Sequence, residues 1–351
     1  MKLKKNFLQN LRTPIIIGEI SANHDGSIDK AKKLIRCAKI NELDFVKLQT
    51  YEEHTMTIPS RNKEFLIKKG LWKNYSLWDL YKKAKTPFEW HKELFLYAKK
   101  IGIKCISTPF SEEAVDLLEE LGCPMYKISS FELTHLPLIK KIAKTKKPII
   151  LSTGMGTLNE IEEAVDEIKK YGLGDYALLY CISNYPANTN EFNLNSIELL
   201  KKKFNCTVGL SDHSINNDIA KLSLSYGSMI IEKHIALDKQ KKGLDVSFSI
   251  KGKKIKEFAK DIRNISKLIK NKSKFNCEKQ NLIYRRSIYA VEKINKGDVF
   301  TKDNIRIIRP GLGLEPKYYE SILGKKSLTK ISYATPIKKK HVSAGVKFKY
   351  F

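Results

Sequence analysis

Long apolar runs are missing from this chain: none approaches the roughly 20 residues that a membrane-spanning helix needs. That excludes a helical membrane protein. The start, Met1-Lys2-Leu3-Lys4-Lys5, is basic, but no apolar stretch or small-residue cleavage site follows it. A cytoplasmic protein without a membrane partner is expected. Cysteine is sparse: Cys37, Cys105, Cys123, Cys181, Cys206 and Cys277 are scattered and form no C-x-x-C pair. Zinc ribbons and a disulfide framework are therefore excluded, leaving buried thiols. Negative charge is also short, with 38 acidic against 65 basic residues and a net charge of +27. The excess is mostly lysine spread over helix faces, as in Lys32-Lys33, Lys99-Lys100 and Lys201-Lys202-Lys203; the one compact segment is Lys338-Lys339-Lys340. Nucleic-acid surfaces favour arginine interleaved with aromatics on one element, so no nucleic-acid partner is expected. A positive field does suit anionic small molecules.

What is present is a repeat. Short β-rich apolar runs alternate with amphipathic helical stretches. The strands expected are Pro14–Ser21, Phe45–Thr50, Lys104–Thr108, Met125–Ser130, Ile149–Thr153, Ala177–Ser183, Thr207–Asp212 and Met229–His234. Helices are expected between them, among them Glu112–Leu121, Leu158–Tyr171, Ser196–Lys203 and a closing Ile255–Ile269. Strand–helix alternation over this length predicts a (β/α)8 TIM barrel across 1–269. A doubly wound sheet is the competitor, but it would focus only the few strand ends beside its switch point. Here every run ends in polar residues, which a barrel gathers on one face. The stretch Glu52–Trp90 after the second strand is long enough to shape a substrate pocket or lid. Residues 270–283 read as a polar linker, and 284–351 as a small β-rich module. In the module, Arg286–Val291 and Ile305–Gly311 are strands and Asn295–Asp298 a turn.

Two strand ends carry histidine: Ser211-Asp212-His213 and Glu232-Lys233-His234. Neighbouring strand-end histidines can ligate one divalent metal and leave positions open for substrate oxygen; two unrelated rim histidines are the bland alternative. Lys47 and Lys127 lie in otherwise apolar runs, where an ammonium is costly unless it meets an anion. Ser130, Ser152, Ser183 and Ser211 add neutral donors. Together they suit a small molecule with a phosphate and a carboxylate. Glu19 ends the first strand, with Asn23-His24 in the loop beyond. Glu232 leaves its strand on the same side as His234. These carboxylates suit acid, base or hydroxyl-ligand roles, or a structural ion pair with Lys47 or Lys127.

These residues sit in ordered motifs: Glu19-Ile20-Ser21-Ala22-Asn23-His24-Asp25-Gly26-Ser27, Val46-Lys47-Leu48-Gln49-Thr50, Ser107-Thr108-Pro109-Phe110, Tyr126-Lys127-Ile128-Ser129-Ser130, Leu151-Ser152-Thr153-Gly154-Met155, Gly209-Leu210-Ser211-Asp212-His213 and Glu232-Lys233-His234. On them, and on Arg309-Pro310-Gly311 near the end, the chain resembles the sialic acid synthase family along nearly its whole length. It departs from the family pattern at Ile182, Ser183, Ile235 and Leu244, where Thr, Asn, Phe and Pro are usual.

The resemblance implies a barrel followed by an antifreeze-like (SAF, β-clip) domain. It implies phosphoenolpyruvate held by Lys47, Lys127, Ser130, Ser152, Ser183 and Ser211, with Mn2+, or Mg2+ or Co2+, on His213 and His234. Glu19, Glu232 and Asp245 become the catalytic carboxylates. Asn23, Gln49, Tyr185 and Glu232 would hold an N-acetylated amino sugar, with Arg309 reaching it across a domain-swapped homodimer. The stretches Ile20–His24, Leu71-Trp72 through His91, and Gly243–Ser249 resemble the branch that uses a 2,4-diacetamido-2,4,6-trideoxy sugar. The reaction implied is a condensation that releases phosphate. A neuraminate- or legionaminate-forming branch is the alternative within the family. A non-catalytic sugar- or anion-binding barrel is the alternative outside it.

Overall fold

The computed structural model describes residues 3–270 and 278–348, and the chain divides into two compact units, Met1–Lys272 and Ser273–Phe351. In the first unit eight parallel strands follow chain order: β1 (Ile15–Glu19), β2 (Phe45–Thr50), β3 (Lys104–Pro109), β4 (Tyr126–Ile128), β5 (Ile149–Ser152), β6 (Tyr176–Cys181), β7 (Thr207–Asp212) and β8 (Ile230–Ala236). Pairing of β1 with β8, from Ile15 opposite Ile230 to Glu19 opposite His234, closes the cylinder. The expected barrel is therefore the observed one, not a doubly wound sheet. Each expected strand is present: β2 and β7 have the expected bounds, and the others are trimmed or extended by one or two residues at an end.

The strands are apolar along their length because lumen and helical shell bury both faces. The helix Leu158–Tyr171 shows how the shell is specified. Thr157 and Glu160 form a reciprocal capping box at its start, and Lys169-Lys170 suit the negative end of its dipole. Ile161, Ala164, Val165 and Ile168 recur at helical spacing and are the residues it buries. Glu112–Glu120, Asn195–Phe204 and Lys254–Lys270 occupy the other expected helical stretches. Two large apolar clusters, one around Phe45, Tyr126 and Ile150 and one around Leu34, Val46 and Phe258, make up the core of this unit. Below the strands Leu8 is fully buried, its amide donating to Asp175 at 3.0 Å and its carbonyl accepting from Thr207 at 2.7 Å. This first turn of chain plugs the end of the barrel opposite the strand C-termini.

The connection after β2 is elaborated into the short helices Glu53–Met56 and Leu77–Ala84 before Phe88–Ile101. Among the described residues no helix is long and apolar enough to cross a membrane. Five of the six cysteines lie in the described part, all unpaired; Cys277 falls outside it.

The second unit has its own core of Ile288, Ile294, Phe300, Ile305, Ile322, Ile331 and Ile337. Its antiparallel pair is β9 (Ser287–Ala290) with β10 (Ile305–Ile308), Ser287 opposite Ile308. The Asn295–Asp298 turn is closed by Asn295 N donating to Asp298 at 2.7 Å. Half of the expected linker, 271–277, lies outside the described residues, and Lys279–Tyr284 forms a 3-10 turn. Residues 349–351 of the expected tail also lie outside them.

Candidate active site

Because all eight strands run the same way, their polar last residues meet at one mouth. The period of two then decides which enter the lumen. Lys47 and Gln49, Ser211 and His213, Glu232 and His234 line the same narrow cavity, of about 50 Å3. Asp212 and Lys233, one residue out of phase, point the other way. At the centre Lys47 lies between two carboxylates, 2.6 Å from Glu19 and 3.6 Å from Glu232. It also donates to Thr108 at 3.1 Å. All three charged groups are nearly fully buried. Burial alone would lower the Lys47 pKa, but the two carboxylates outweigh it and hold the ammonium above its ordinary range. Burial likewise pushes the Glu232 carboxyl up, and Lys127 and Lys47 overcome it, bringing the pKa down to about 2. Lys127 is lowered, chiefly by burial; it donates to Ser152 at 2.6 Å and to its neighbour's carbonyl, Ile128 O, at 3.0 Å.

Beside Lys127 is a cluster of small donors. Ser130 Oγ is 2.9 Å from Cys181 Sγ and accepts from the Gly154 amide at 3.1 Å. A Cβ on Gly154 would stand 2.4 Å from Ser183 Oγ and 2.9 Å from Ser130 Oγ, so only glycine lets the backbone approach them. Ser211 donates to Glu232 at 3.2 Å.

The histidine rings of His213 and His234 are 5.5 Å apart at 70°. His213 Nδ1 lies 2.8 Å from the Ile182 carbonyl, so that nitrogen carries the proton and Nε2 keeps its lone pair. Burial, reinforced by His234, lowers the His213 pKa to about 3, which holds it neutral. His234 Nδ1 is 3.5 Å from Asp245. Burial opposes ionisation of Asp245, but His234 and donors from Ser21 and Ala22 outweigh it and lower its pKa. Tyr185 stands 4.4 Å from the His213 ring. Among the described residues no group of three or more His, Cys, Asp or Glu is arranged to hold a metal ion. The pair alone offers two ring nitrogens to the cavity.

A second cavity, of about 360 Å3, opens directly above and shares Gln49, Phe110, Ser129, Phe131, Tyr185 and His234 with the first. Ser183 and Asp245 line it too.

Of the residues expected to form the site, Glu19, Lys47, Gln49, Lys127, Ser130, Ser152, Ser183, Tyr185, Ser211, His213, Glu232, His234 and Asp245 therefore line one continuous space. Asn23 does not. It was expected on the sugar, but it is fully buried, with its amide donating to Ile235 O and Ser249 Oγ, each at 2.8 Å. Its own carbonyl accepts from Gln240 at 2.7 Å. It holds the loops beyond β1 and β8 together, because the left-handed Ser21 (φ 44°) turns the chain inward there. Arg309 belongs to the second unit, where it lines a cleft with Arg285, Arg286 and Tyr284. Cys181 and Glu132 are among the cavity residues that sequence reasoning missed. Cys181, read only as a buried thiol, faces the anion cluster; its spacing of two from Ser183 was the available signal. Glu132 lines the upper cavity and accepts from Ser129; nothing in its sequence context marks it.

Fold and site together define an enzyme of the (β/α)8 class, with one polar cavity at the strand ends and a separate β-rich module. The NeuB family profile matches residues 34–274 and the SAF domain profile residues 285–343. The chain belongs to the NeuB family. It is 39% identical over 330 residues to the pseudaminic acid synthase of Helicobacter pylori, covering 93% of this chain and 97% of that protein. It is 40% identical over 322 residues to the N,N'-diacetyllegionaminic acid synthase of Campylobacter jejuni, covering 90% and 96%. The crystal structure of the spore coat polysaccharide biosynthesis protein spsE from Bacillus subtilis superposes with a TM-score of 0.66 at 28% identity over 99% of both chains.

Proposed function

We propose that this enzyme condenses phosphoenolpyruvate with 2,4-diacetamido-2,4,6-trideoxy-altrose and water, giving pseudaminic acid and phosphate. The observation that carries the proposal is Lys47 held between Glu19 and Glu232, with Lys127 and Ser152 alongside. This is an anion site with carboxylates built into it. Lys127, Ser130, Ser152, Ser183 and the Gly154 amide receive one anionic end of phosphoenolpyruvate. Lys47 and Ser211 receive the other. The open-chain sugar lies in the upper cavity, its aldehyde toward His213 and His234 and its substituents toward Gln49, Tyr185, Glu232 and Asp245.

The methylene carbon of phosphoenolpyruvate bonds to the aldehyde carbon, and the aldehyde oxygen gains a proton to become a hydroxyl. Glu19 takes a proton from water, whose oxygen adds to the former enol carbon. The resulting intermediate breaks its bond to the phosphate oxygen, releasing phosphate and leaving a nine-carbon 2-keto acid. Fixed ammonium and hydroxyl groups hold both reactants in line, the largest contribution this site makes.

His213 and His234 fit a divalent metal, which we take to be Mn2+. Both rings reach one cavity, and His213 presents a neutral Nε2 with its other nitrogen anchored. Two lysines and two carboxylates already cancel in charge, so an anionic substrate is better held with a further cation at the mouth. Bound there, the ion would act as a Lewis acid on the sugar's carbonyl oxygen. We assign Arg309 of the partner subunit to the sugar's acetamido group in a domain-swapped homodimer. We place the reaction in the cytoplasm, where phosphoenolpyruvate is made.

The legionaminate-forming reading is favoured by the 40% identity to that relative. Phosphate release with purified protein, Mn2+, phosphoenolpyruvate and each candidate sugar separates the two. Turnover confined to the 2,4-diacetamido-2,4,6-trideoxy-mannose isomer or to N-acetylmannosamine would overturn the altrose assignment.

A further inference from the structure

The upper cavity has two chemically different walls. One carries the polar groups it shares with the deep site, among them Gln49, Tyr185 and His234. The other comes from the long connection after β2 and contains an apolar patch of Met56, Ile67, Trp72, Leu77, Leu80 and Ala84; Tyr51 and Tyr81 of the same connection line the cavity as well. The only hydrogen-bonding group on the six side chains of the patch is the Trp72 indole N–H, and it donates to Leu244 O at 3.2 Å. Nothing on these six side chains is left to receive a hydroxyl.

The wall is built rather than incidental. Ile67 N donates to Tyr75 O at 2.9 Å and Asn74 N to Ile67 O at 3.0 Å, making a tight return that presents Ile67 and Trp72. Ser76 then caps Leu77–Ala84, accepting from Asp79 N at 3.1 Å. Trp72 is 5.4 Å from Tyr185, which in turn abuts His213, so Tyr185 stands between this wall and the reacting end. A hydroxyl pressed on the six apolar side chains loses its water without gaining a partner, whereas a methyl group gains.

We propose that this wall is an apolar subsite that selects sugars whose end remote from the aldehyde carries methyl groups, the C-methyl of a 6-deoxy sugar and the methyl of a second acetamido group. The inference rests on the condensing reaction proposed above and names the residues that set its sugar specificity. An apolar pocket discriminates against one added hydroxyl by about 10- to 100-fold. The test compares kcat/KM for 2,4-diacetamido-2,4,6-trideoxy-altrose and for its 6-hydroxy counterpart in the wild type and in Ile67→Asn and Leu77→Asn. Both positions are half-buried and tolerate a polar side chain, and they stand on different parts of the connection. The wild type is expected to prefer the 6-deoxy sugar by about 10-fold or more, and each variant to shrink that ratio severalfold while the KM for phosphoenolpyruvate stays put. A wild type that uses the 6-deoxy sugar without that preference, or variants that keep the ratio, would overturn this inference alone. A wild type that releases phosphate with neither sugar would overturn the altrose reading proposed above and this inference with it.

Discussion

Lys233 Nζ lies 2.6 Å from Asp212 Oδ2, in a fully buried ion pair directly behind the two strand-end histidines. The same ammonium donates to Ser214 O at 2.8 Å and Asn216 O at 3.1 Å, and Asp212 accepts from Ser214 N at 2.9 Å. Asp212 and Lys233 face each other across β7 and β8. They tie the segment that carries His213 to the strand that carries His234.

Removing one partner leaves the other charged and buried. Lys233→Met is therefore expected to lower the unfolding free energy by about 3–5 kcal/mol. Lys233→Met combined with Asp212→Leu should recover part of that loss. Urea denaturation of the two single variants and the double variant measures the coupling; strict additivity would show that the pair contributes nothing.

Lys47→Met removes the cation between Glu19 and Glu232. The expected result is a fall of about 100-fold or more in kcat/KM for phosphoenolpyruvate, the cost of losing a buried charged contact. Steady-state phosphate release reads it, with circular dichroism to verify the fold.

His213→Ala should abolish turnover and weaken Mn2+ binding by at least about 10-fold while the urea midpoint changes little. Electron paramagnetic resonance of free Mn2+ follows the binding directly. Unaltered affinity would move the metal away from this pair.

His24 is fully buried, with its ring edge-on to Trp90 at 5.6 Å, and its Nδ1 accepts from Gly26 N at 3.2 Å. Burial lowers its pKa to about 4. The unfolded chain thus binds a proton that the folded chain refuses between about pH 6.5 and pH 4. Its contribution to stability is complete above pH 6.5 and drains away as the pH falls through that window, amounting to about 3 kcal/mol. His24→Gln should flatten this part of the stability–pH curve, which thermal melts at half-unit intervals would show.

If Arg309 acts across the dimer, Lys47→Met and Arg309→Ala homodimers are each impaired, but a reannealed equal mixture regains activity. Half the dimers are then mixed and each holds one intact site, so about a quarter of wild-type activity is expected. No recovery on mixing, with exchange verified by mass spectrometry, would confine Arg309 to its own chain.

Strand number, strand order and the composition of the mouth were legible in the residues themselves. Parallel strands buried on both faces must be continuous apolar runs, and the two-residue period puts Glu232 with His234 and Ser211 with His213 without any coordinates. Lys47 and Lys127 stood out because an ammonium in such a run needs an anion. What only the folded chain decided were the pairings across the lumen. Lys47 meets Glu19 and Glu232, one 28 residues before it and the other 185 after, and no local pattern ranks such partners. Asn23 was expected on the substrate and instead joins two loops. Cys181 is the buried thiol expected, but it also faces the serines. In the wall, Leu77, Leu80 and Ala84 recur at helical spacing, but Met56, Ile67 and Trp72 share no period with them, because the wall is assembled from a turn and two short helices. Its existence depends on where those pieces pack, which the barrel beneath them determines.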